Sequence, residues 1–554
     1  MSPAANFSPS FPSVGTALTI LLEGYGVETV FGIPGVHTVE LYRGLPETRI
    51  RHITPRHEQG AGFMADGYAR ITGKPGVAFL ITGPGLTNCL TAMAQAAADS
   101  IPMLVISGVN RIDSLGHGHG LLHELVDQAA VVKSIARWSH TLLNPNELGD
   151  VLARAFALMS AERPGPVHLE IPTDVMRMDY QQSLQVFAAN LPPPTPAAAS
   201  LRAAAKLLAG AQKPLILAGG GAVWGSRTAG LIEQLAERID APVITTINGR
   251  GILAGHRLRI PASPSITVVR ELMSDADIVL ALGTEFGPTD YDFYEDGQMP
   301  PLARVIQIDV STAQLLRSPS AEIALLGGVE TTVEALLPLL PQPTPHPDWS
   351  LRAAATRAAA LSSLPAKIRS EIAVLDAIQA ELPGVIIVGD STQPVYAGNL
   401  YYDCNRVRGW FNAATGYGTL GYAPGAAIGA ALGLAAMGEP QTPVVCLVGD
   451  GGLQFSLAEL GSAVDAGTPV IFVVWNSHGY LEIENFMIAK QIKPEGVKPV
   501  PPDFVKLAEA FAIPGERIAT LAELAPALHR AASRSTPSLI EFTAPDPSAG
   551  AALD

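Results

Sequence analysis

Two apolar runs in the C-terminal third of the chain each end in an oxygen-bearing side chain. Val444-Val445-Cys446-Leu447-Val448-Gly449 leads into Asp450, and Val470-Ile471-Phe472-Val473-Val474-Trp475 leads into Asn476. An acid and an amide at the ends of two such runs suit Mg²⁺, which takes one or two protein oxygens and fills its octahedron with water and phosphate oxygens. Asp450 and Asn476 are therefore candidate magnesium ligands.

The elements that position them follow from the pattern. The first run shows no polar alternation, as expected of a parallel strand buried on both faces. The interval between the two ligands fits a strand–helix–strand unit. Both would then sit at the carboxyl ends of neighbouring parallel strands, where open α/β sheets bind ligands. Gly-Asp-Gly alone is also an ordinary tight turn. Gly451 and Gly452 would let the backbone approach an anion, and Ser456-Leu457-Ala458-Glu459 has the form of a capping box opening a helix.

Other residues could move protons. Glu58 stands among small and apolar residues in His57-Glu58-Gln59-Gly60-Ala61-Gly62-Phe63-Met64-Ala65. A carboxyl there is disfavoured as an anion, which suits it to share a proton. It also fits the first turn of a helix, where an acid complements the dipole. Gly116-His117-Gly118-His119-Gly120-Leu121-Leu122-His123-Glu124 could be read as a metal site, but no cysteine or carboxylate pattern completes it. Alternatively, an imidazole exchanges protons near neutral pH, and His37 and His123 are candidates for that role.

Gly449-Asp450-Gly451 followed by Asn476 resembles the signature of the thiamin-diphosphate-dependent enzymes of the acetolactate synthase and 2-oxo-acid decarboxylase family. The resemblance extends to Phe31-Gly32-Ile33-Pro34-Gly35-Val36-His37, Thr54 to Arg70, Thr82-Gly83-Pro84-Gly85-Leu86-Thr87-Asn88 and Gly416-Tyr417-Gly418-Thr419-Leu420-Gly421. It implies thiamin diphosphate and Mg²⁺ as cofactors, with Asp450, Asn476 and the backbone carbonyl of His478 on the metal. Ser477 departs from the second asparagine that family members often carry. Glu58 would hydrogen-bond the aminopyrimidine ring, Leu420 would wedge between the cofactor's two rings, and Gly418 would hold the aminopyrimidine. Thr82, Asn88, Thr392, Gln393, Gly449, Gly451, Gly452, Gly479 and Tyr480 would complete the cofactor site. Val36, His37, His123, Glu482 and Phe486 would face the substrate, with Glu58, His37 and His123 as the catalytic groups.

The implied reaction is non-oxidative decarboxylation of a 2-oxo acid to an aldehyde and carbon dioxide. The wording of the motifs, Leu122-His123-Glu124 among them, is similar to that of decarboxylases acting on 5-guanidino-2-oxopentanoate (2-ketoarginine). Glu482 and Glu484 could pair a guanidinium bidentately, or could simply be acids in a helix first turn. Two alternatives stay open. One is a carboligase such as acetolactate synthase, or a lyase of 2-hydroxy ketones like benzaldehyde lyase; the other is a cofactor-binding relative without turnover.

The chain of 554 residues is 48% hydrophobic and 16% charged, enough to bury several cores. A net charge of −15 without basic clusters argues against nucleic acid. Three scattered cysteines, Cys89, Cys404 and Cys446, form no metal spacing and suit a reducing cytoplasm. The N-terminal residues do not read as a signal peptide, and the apolar stretch Ala426–Met437 is too short to span a bilayer. Proline-rich, extended segments at Leu191–Pro196 and Pro341–Pro347 divide the chain into three parallel α/β domains. The expected domains are a pyrimidine-binding domain at 10–188, a central Rossmann-like domain at 197–340 and a diphosphate- and Mg-binding domain at 365–548. Glycine-rich turns in the central domain, such as Gly219-Gly220-Gly221, lack a dinucleotide fingerprint, so FAD or ADP is not expected there. The resemblance implies a homodimer or homotetramer with active sites at the subunit interface, Glu58 of one chain facing Asp450 of another.

Overall fold

The computed structural model describes residues 11–186, 191–291, 299–317, 319–343 and 345–544. The expectations placed on the first nine residues, on the outermost ends of the first and last domains (10, 187–188 and 545–548) and on Thr344 lie outside these. The chain divides into two compact units. One runs up to Ala69 and includes Lys74–Leu191; the other holds Arg70–Gly73 and the chain from Pro192 onward.

The first unit is built on one six-stranded sheet: β1 Thr29–Gly32, β2 Arg51–Ile53, β3 Gly76–Leu80, β4 Met103–Val109, β5 Trp138–Thr141 and β6 Pro166–Pro172. Their order is β2-β1-β3-β4-β6-β5, with every pair parallel. The second unit carries two such sheets. One comprises β7 Pro214–Ala218, β8 Val243–Thr245, β9 Arg259–Ile260, β10 Ile278–Leu282, β11 Val305–Asp309 and β12 Ile323–Leu326. It is ordered β12-β11-β10-β7-β8-β9. The other comprises β13 Ile386–Gly389, β14 Trp410–Asn412, β15 Val444–Gly449, β16 Val470–Asn476, β17 Gly515–Ile518 and β18 Ser538–Thr543. It is ordered β14-β13-β15-β16-β18-β17.

The inner strands explain the unbroken apolar runs. Every residue of β3, β4, β15 and β16 is buried, because helices cover both faces of an all-parallel sheet. Separate clusters of buried side chains flank each sheet, such as Val14, Leu18, Val77, Leu104 and Val167 in the first unit and Val374, Ile387, Val445, Ile471 and Ile540 around the last sheet. The stretch at Ala426–Met437 lies in a helix, Tyr422–Ala436, that is buried from Tyr422 to Leu434. Among the described residues no helix is long and apolar enough to cross a membrane. The glycine-rich turn of the central sheet serves close backbone packing: a Cβ on Gly219 would stand 2.4 Å from the carbonyl oxygen of Gly283, and one on Gly221 2.8 Å from the Cα of Gly283.

Two local expectations are corrected. The helix after β15 starts at Asp450 itself and runs to Phe455, so Ser456 closes it rather than opening the next. The Ser456 hydroxyl donates to the carbonyl of Gly421 at 2.5 Å, and the following helix, Glu459–Ala466, begins with no side-chain cap. The Ser456 hydroxyl is taken up by Gly421 and so does not cap the next helix. Pro347, expected to be extended, is instead the first residue of a helix to Ser362; proline fits there because its missing N–H has no intrahelical partner anyway.

Candidate functional site

The first unit gathers side chains at the carboxyl ends of β1, β3 and β4. After β1, a turn closed by Gly35 N–H on Thr38 Oγ1 (3.0 Å) carries Val36, which is exposed, and His37, which is half-buried. After β4, a loop brings His123 back so that its ring meets that of His37 edge-on, with centroids 5.3 Å apart and planes at 66°. The two expected proton-transfer groups are thus in contact. Burial, and then the neighbouring His123, lower the pKa of His37 below the usual imidazole value. His123 sits at φ +61°, a conformation uncommon for any residue other than glycine.

The turn after β3 lies between two clusters. Gly83 has φ +67°, and a Cβ there would stand 2.5 Å from the carbonyl oxygen of His123. Two residues on, a Cβ on Gly85 would come within 3.4 Å of Glu58 Oε1. Glu58 is the first residue of the helix Glu58–Thr72 and accepts a hydrogen bond from Asn88 Nδ2 at 2.9 Å. The buried Cys89 thiol beside it is pushed up to about 12, by burial first and then by the charge of Glu58. Glu58 and Asn88, named separately from the sequence, form one pair. His117 and His119 are exposed, and their loop instead closes on Glu124, which accepts from the backbone N–H groups of His119 and Leu121. Among the described residues, the three histidines do not form a group able to hold a metal; one such group, Glu233, Glu237 and His256, lies in the second unit.

The second unit holds the acidic turn. Asp450 is 1% exposed; Oδ2 accepts from the N–H of Gly479 at 2.8 Å and Oδ1 from that of Ser477 at 3.2 Å. Burial raises its pKa, and these N–H donors work against that rise. The Asn476 amide nitrogen donates to Glu541 Oε1 at 2.7 Å, and its Oδ1 accepts from the N–H of His478 at 3.1 Å. The amide is therefore oriented with its oxygen towards the 476–479 turn. Glu541 is itself held by Arg517 at 2.8 Å. His478 takes φ +59°, in the left-handed region.

The glycines around Asp450 are places where the backbone is approached closely. A Cβ on Gly451 would stand 2.5 Å from the Tyr480 ring, one on Gly449 3.1 Å from Thr392 Oγ1, and one on Gly452 2.9 Å from Asp390 Oδ1. Gly421 (φ +80°) presses the 416–421 loop, with Gly418 and half-buried Leu420, against Phe455 and Ser456. Thr392, Gln393, Gly449, Asp450, Gly451, Gly452, Asn476, Gly479 and Tyr480 thus collect at the carboxyl ends of β13, β15 and β16.

The residues present fit a bound diphosphate and divalent cation. The metal-facing atoms, a carboxylate and an amide oxygen, are the hard donors that Mg²⁺ prefers. Several expected ligand-facing atoms are buried without a hydrogen-bond partner: Gln393 Oε1 in the second unit, and Thr82 Oγ1, His37 Nδ1 and His123 Nδ1 in the first. A buried polar group is normally hydrogen-bonded, so these atoms are open to a partner from a bound ligand.

Asp390 was missed by the sequence reading. It is fully buried, accepts from the N–H groups of Ser391 (2.9 Å) and Ala423 (3.1 Å), and is pushed up to about 6 by burial. It ties the Leu420 loop to the Gly452 turn. The signal was present: Val388-Gly389-Asp390 ends a strand just as Val448-Gly449-Asp450 does. On the substrate side, the helix Leu481–Ala489 buries none of its residues. Phe486 and Glu482 are exposed, whereas Glu484 is bound by Lys498 at 2.8 Å.

Three family profiles match the chain: thiamine pyrophosphate enzyme, N-terminal TPP binding domain, over residues 12–131; the central domain of the same enzymes over 201–336; and their C-terminal TPP binding domain over 390–542. A protein of Pseudomonas aeruginosa described as probable 2-ketoarginine decarboxylase AruI is 42% identical over 96% of this chain and 94% of its own length. The large subunit of acetolactate synthase isozyme 3 of Escherichia coli is 31% identical over 90% of this chain and 88% of its own. An acetolactate synthase of Mycobacterium bovis is 30% identical over 94% and 86%.

Proposed function

We propose that this chain, which belongs to the thiamine pyrophosphate enzyme family, decarboxylates a 2-oxo acid with a cationic tail, 5-guanidino-2-oxopentanoate (2-ketoarginine), to an aldehyde and carbon dioxide. The observation that carries this reading is the 42% identity, over nearly the whole of both chains, to a protein described as a probable 2-ketoarginine decarboxylase.

Thiamin diphosphate, when bound, supplies a nucleophilic carbon for the keto group and an acceptor for the electron pair that carbon dioxide leaves behind. The chain's own residues do the rest. Asp450, the Asn476 amide oxygen and the His478 carbonyl would hold Mg²⁺ and, with it, the diphosphate. Gly449, Gly451, Gly452, Gly479, Tyr480, Thr392 and Gln393 would line that end, and Gly418 and Leu420 would hold the cofactor's rings. Glu58, oriented by Asn88, would hold a proton for the aminopyrimidine ring, and Thr82 would complete that end of the site. His37 and His123 would be the groups that hold or deliver a proton beside the substrate, and the Nδ1 atom of each is buried without a hydrogen-bond partner.

Glu482 is the group assigned to the guanidinium, which a carboxylate can pair bidentately. Its neighbour Glu484 is already engaged by Lys498. Val36 and Phe486, both exposed, supply apolar wall. The assembly is a homodimer or homotetramer in which one chain's Glu58 serves another chain's Asp450, and the compartment is the cytoplasm. The domains run over 10–188, 197–340 and 365–548.

The test is product analysis with thiamin diphosphate, Mg²⁺ and a panel of guanidino, amino, aliphatic and aromatic 2-oxo acids and pyruvate. Preferred release of carbon dioxide and aldehyde from the guanidino acid is the expected result. Hydroxyketone formation from pyruvate, with the guanidino acid inert, would overturn it in favour of an acetolactate-synthase-type carboligase.

A further inference from the structure

We propose that Gln128 is a positioning residue that sets the geometry of the His37–His123 pair; this rests on reading those two histidines as the proton-transfer groups. Gln128 is 3% exposed and begins the short helix Gln128–Val132. Its side-chain oxygen accepts from the N–H of Gly83 at 2.8 Å. Its amide nitrogen lies 2.8 Å from the carbonyl oxygen of Gly108, 3.1 Å from Ser107 Oγ and 3.0 Å from Glu170 Oε2.

Both backbone contacts lie directly under the histidines. Gly83 is the residue whose absent Cβ leaves room for the carbonyl of His123, at 2.5 Å. Gly108 does the same for His37: a Cβ there would stand 2.9 Å from the His37 carbonyl oxygen and 2.9 Å from Thr82 Oγ1. One amide therefore joins the backbone that His123 rests on to the backbone that His37 rests on. Glu170 anchors the amide from behind and is itself held by Thr141 Oγ1 at 2.6 Å. Ser107 is anchored by the buried His168 ring, whose Nε2 lies 2.8 Å from Ser107 Oγ.

The ring contact spans 5.3 Å and no hydrogen bond fixes either Nδ1, so the pair has no tether of its own. Its geometry is inherited from the two backbone segments, and a buried, fully engaged amide is the group that holds those segments in register. The titratable group facing His37 is His123. Those facing Glu170 are Asp127 and Lys133.

The experiment is histidine-selective ¹³C NMR titration of the full chain, with His37 and His123 assigned from H37Q and H123Q, alongside the pH profile of turnover. In Gln128→Met, which keeps length but loses every hydrogen bond, the His37 midpoint should rise towards the ordinary histidine value. Turnover should fall by about 10- to 100-fold, the range expected when reacting groups are slightly misplaced, with KM for the 2-oxo acid within threefold. Should that variant fail to fold, Gln128→Asn, one methylene too short to span both contacts, carries the same reading. Unchanged His37 and His123 midpoints together with an unchanged pH profile in a folded variant would overturn the proposal and leave Gln128 as core packing. If H37Q and H123Q themselves leave turnover and its pH profile intact, the proton-transfer reading fails instead, while a shifted midpoint still supports the placement of the pair by Gln128.

Discussion

The first and last sheets are wired identically: β2-β1-β3-β4-β6-β5 and β14-β13-β15-β16-β18-β17 follow the same order, while the central sheet follows another. The residues at equivalent strand ends nevertheless differ in kind. The third strand of one sheet runs into Thr82 and Gly83, that of the other into Asp450. The loop after the fourth strand presents His123 in one, and that strand ends in Asn476 in the other. Behind them the two sheets agree again. Glu170 of β6 registers with Ser107, two residues before the end of β4, and Glu541 of β18 registers with Val474, two residues before the end of β16. Each buried glutamate accepts from a side-chain amide, Gln128 in the first sheet and Asn476 in the last. The difference teaches that one scaffold can orient an amide for two ends. In the last sheet the amide oxygen is turned out as a candidate metal ligand; in the first it is turned in to hold backbone, and the exposed chemistry passes to histidines.

If the first sheet moves protons and the last holds cofactor, the two should fail differently. The largest effect is expected from Glu58→Gln. Turnover should fall by about 10²- to 10⁴-fold, the usual contribution of a positioned proton-transfer group, while Mg²⁺-dependent cofactor binding by calorimetry stays within a few-fold. Loss of binding to the same extent would break the division. Next, Glu541→Gln should weaken metal-dependent cofactor binding by about 10- to 100-fold, as other second-layer carboxylates do, with turnover restored at saturating cofactor. A turnover defect that saturation does not repair would place Glu541 in the chemistry instead.

The third prediction concerns pH. Burial drives the His168 pKa down to about 3, whereas the unfolded chain titrates this residue near its ordinary value. The unfolded state therefore takes up a proton first. The contribution to stability is complete above about pH 6.5 and is lost progressively as pH falls towards 3, on the order of 5 kcal/mol in full. The thermal midpoint of His168→Gln should fall less steeply below pH 6.5 than that of the parent; parallel curves would show that another group controls acid unfolding. The smallest effect separates the two acids of the substrate helix. Glu482→Gln should raise KM for a guanidino acid by about 10-fold, the scale of one charge-assisted hydrogen bond, and Glu484→Gln by under threefold. The reverse order would move the recognition group to Glu484.

Much of this was legible in the chain. Strands such as Val444–Gly449 and Val470–Asn476 announce themselves because burial on both faces removes polar alternation, and the acid and amide at their ends mark the site. The pairing of Glu58 with Asn88 and the edge-on contact of His37 with His123 were not legible, because contacts across 30 or more residues depend on how strands are ordered. Nor was the matched wiring of the outer sheets, since strand order leaves no periodic trace. The capping pattern at Ser456 was misread because its hydroxyl is taken by the Gly421 carbonyl, a partner distant in sequence.

The bond from Asn476 to Glu541 has an evolutionary consequence. An aspartate at position 476 would offer the metal an additional charge but would set two carboxylates face to face across 2.7 Å, inside a buried site where like charges cannot both ionise. The asparagine and the glutamate are therefore one heritable trait. Position 476 can become an aspartate only after Glu541 has lost its charge, so the path between amide and acid at this position is open in one order of substitutions and closed in the reverse.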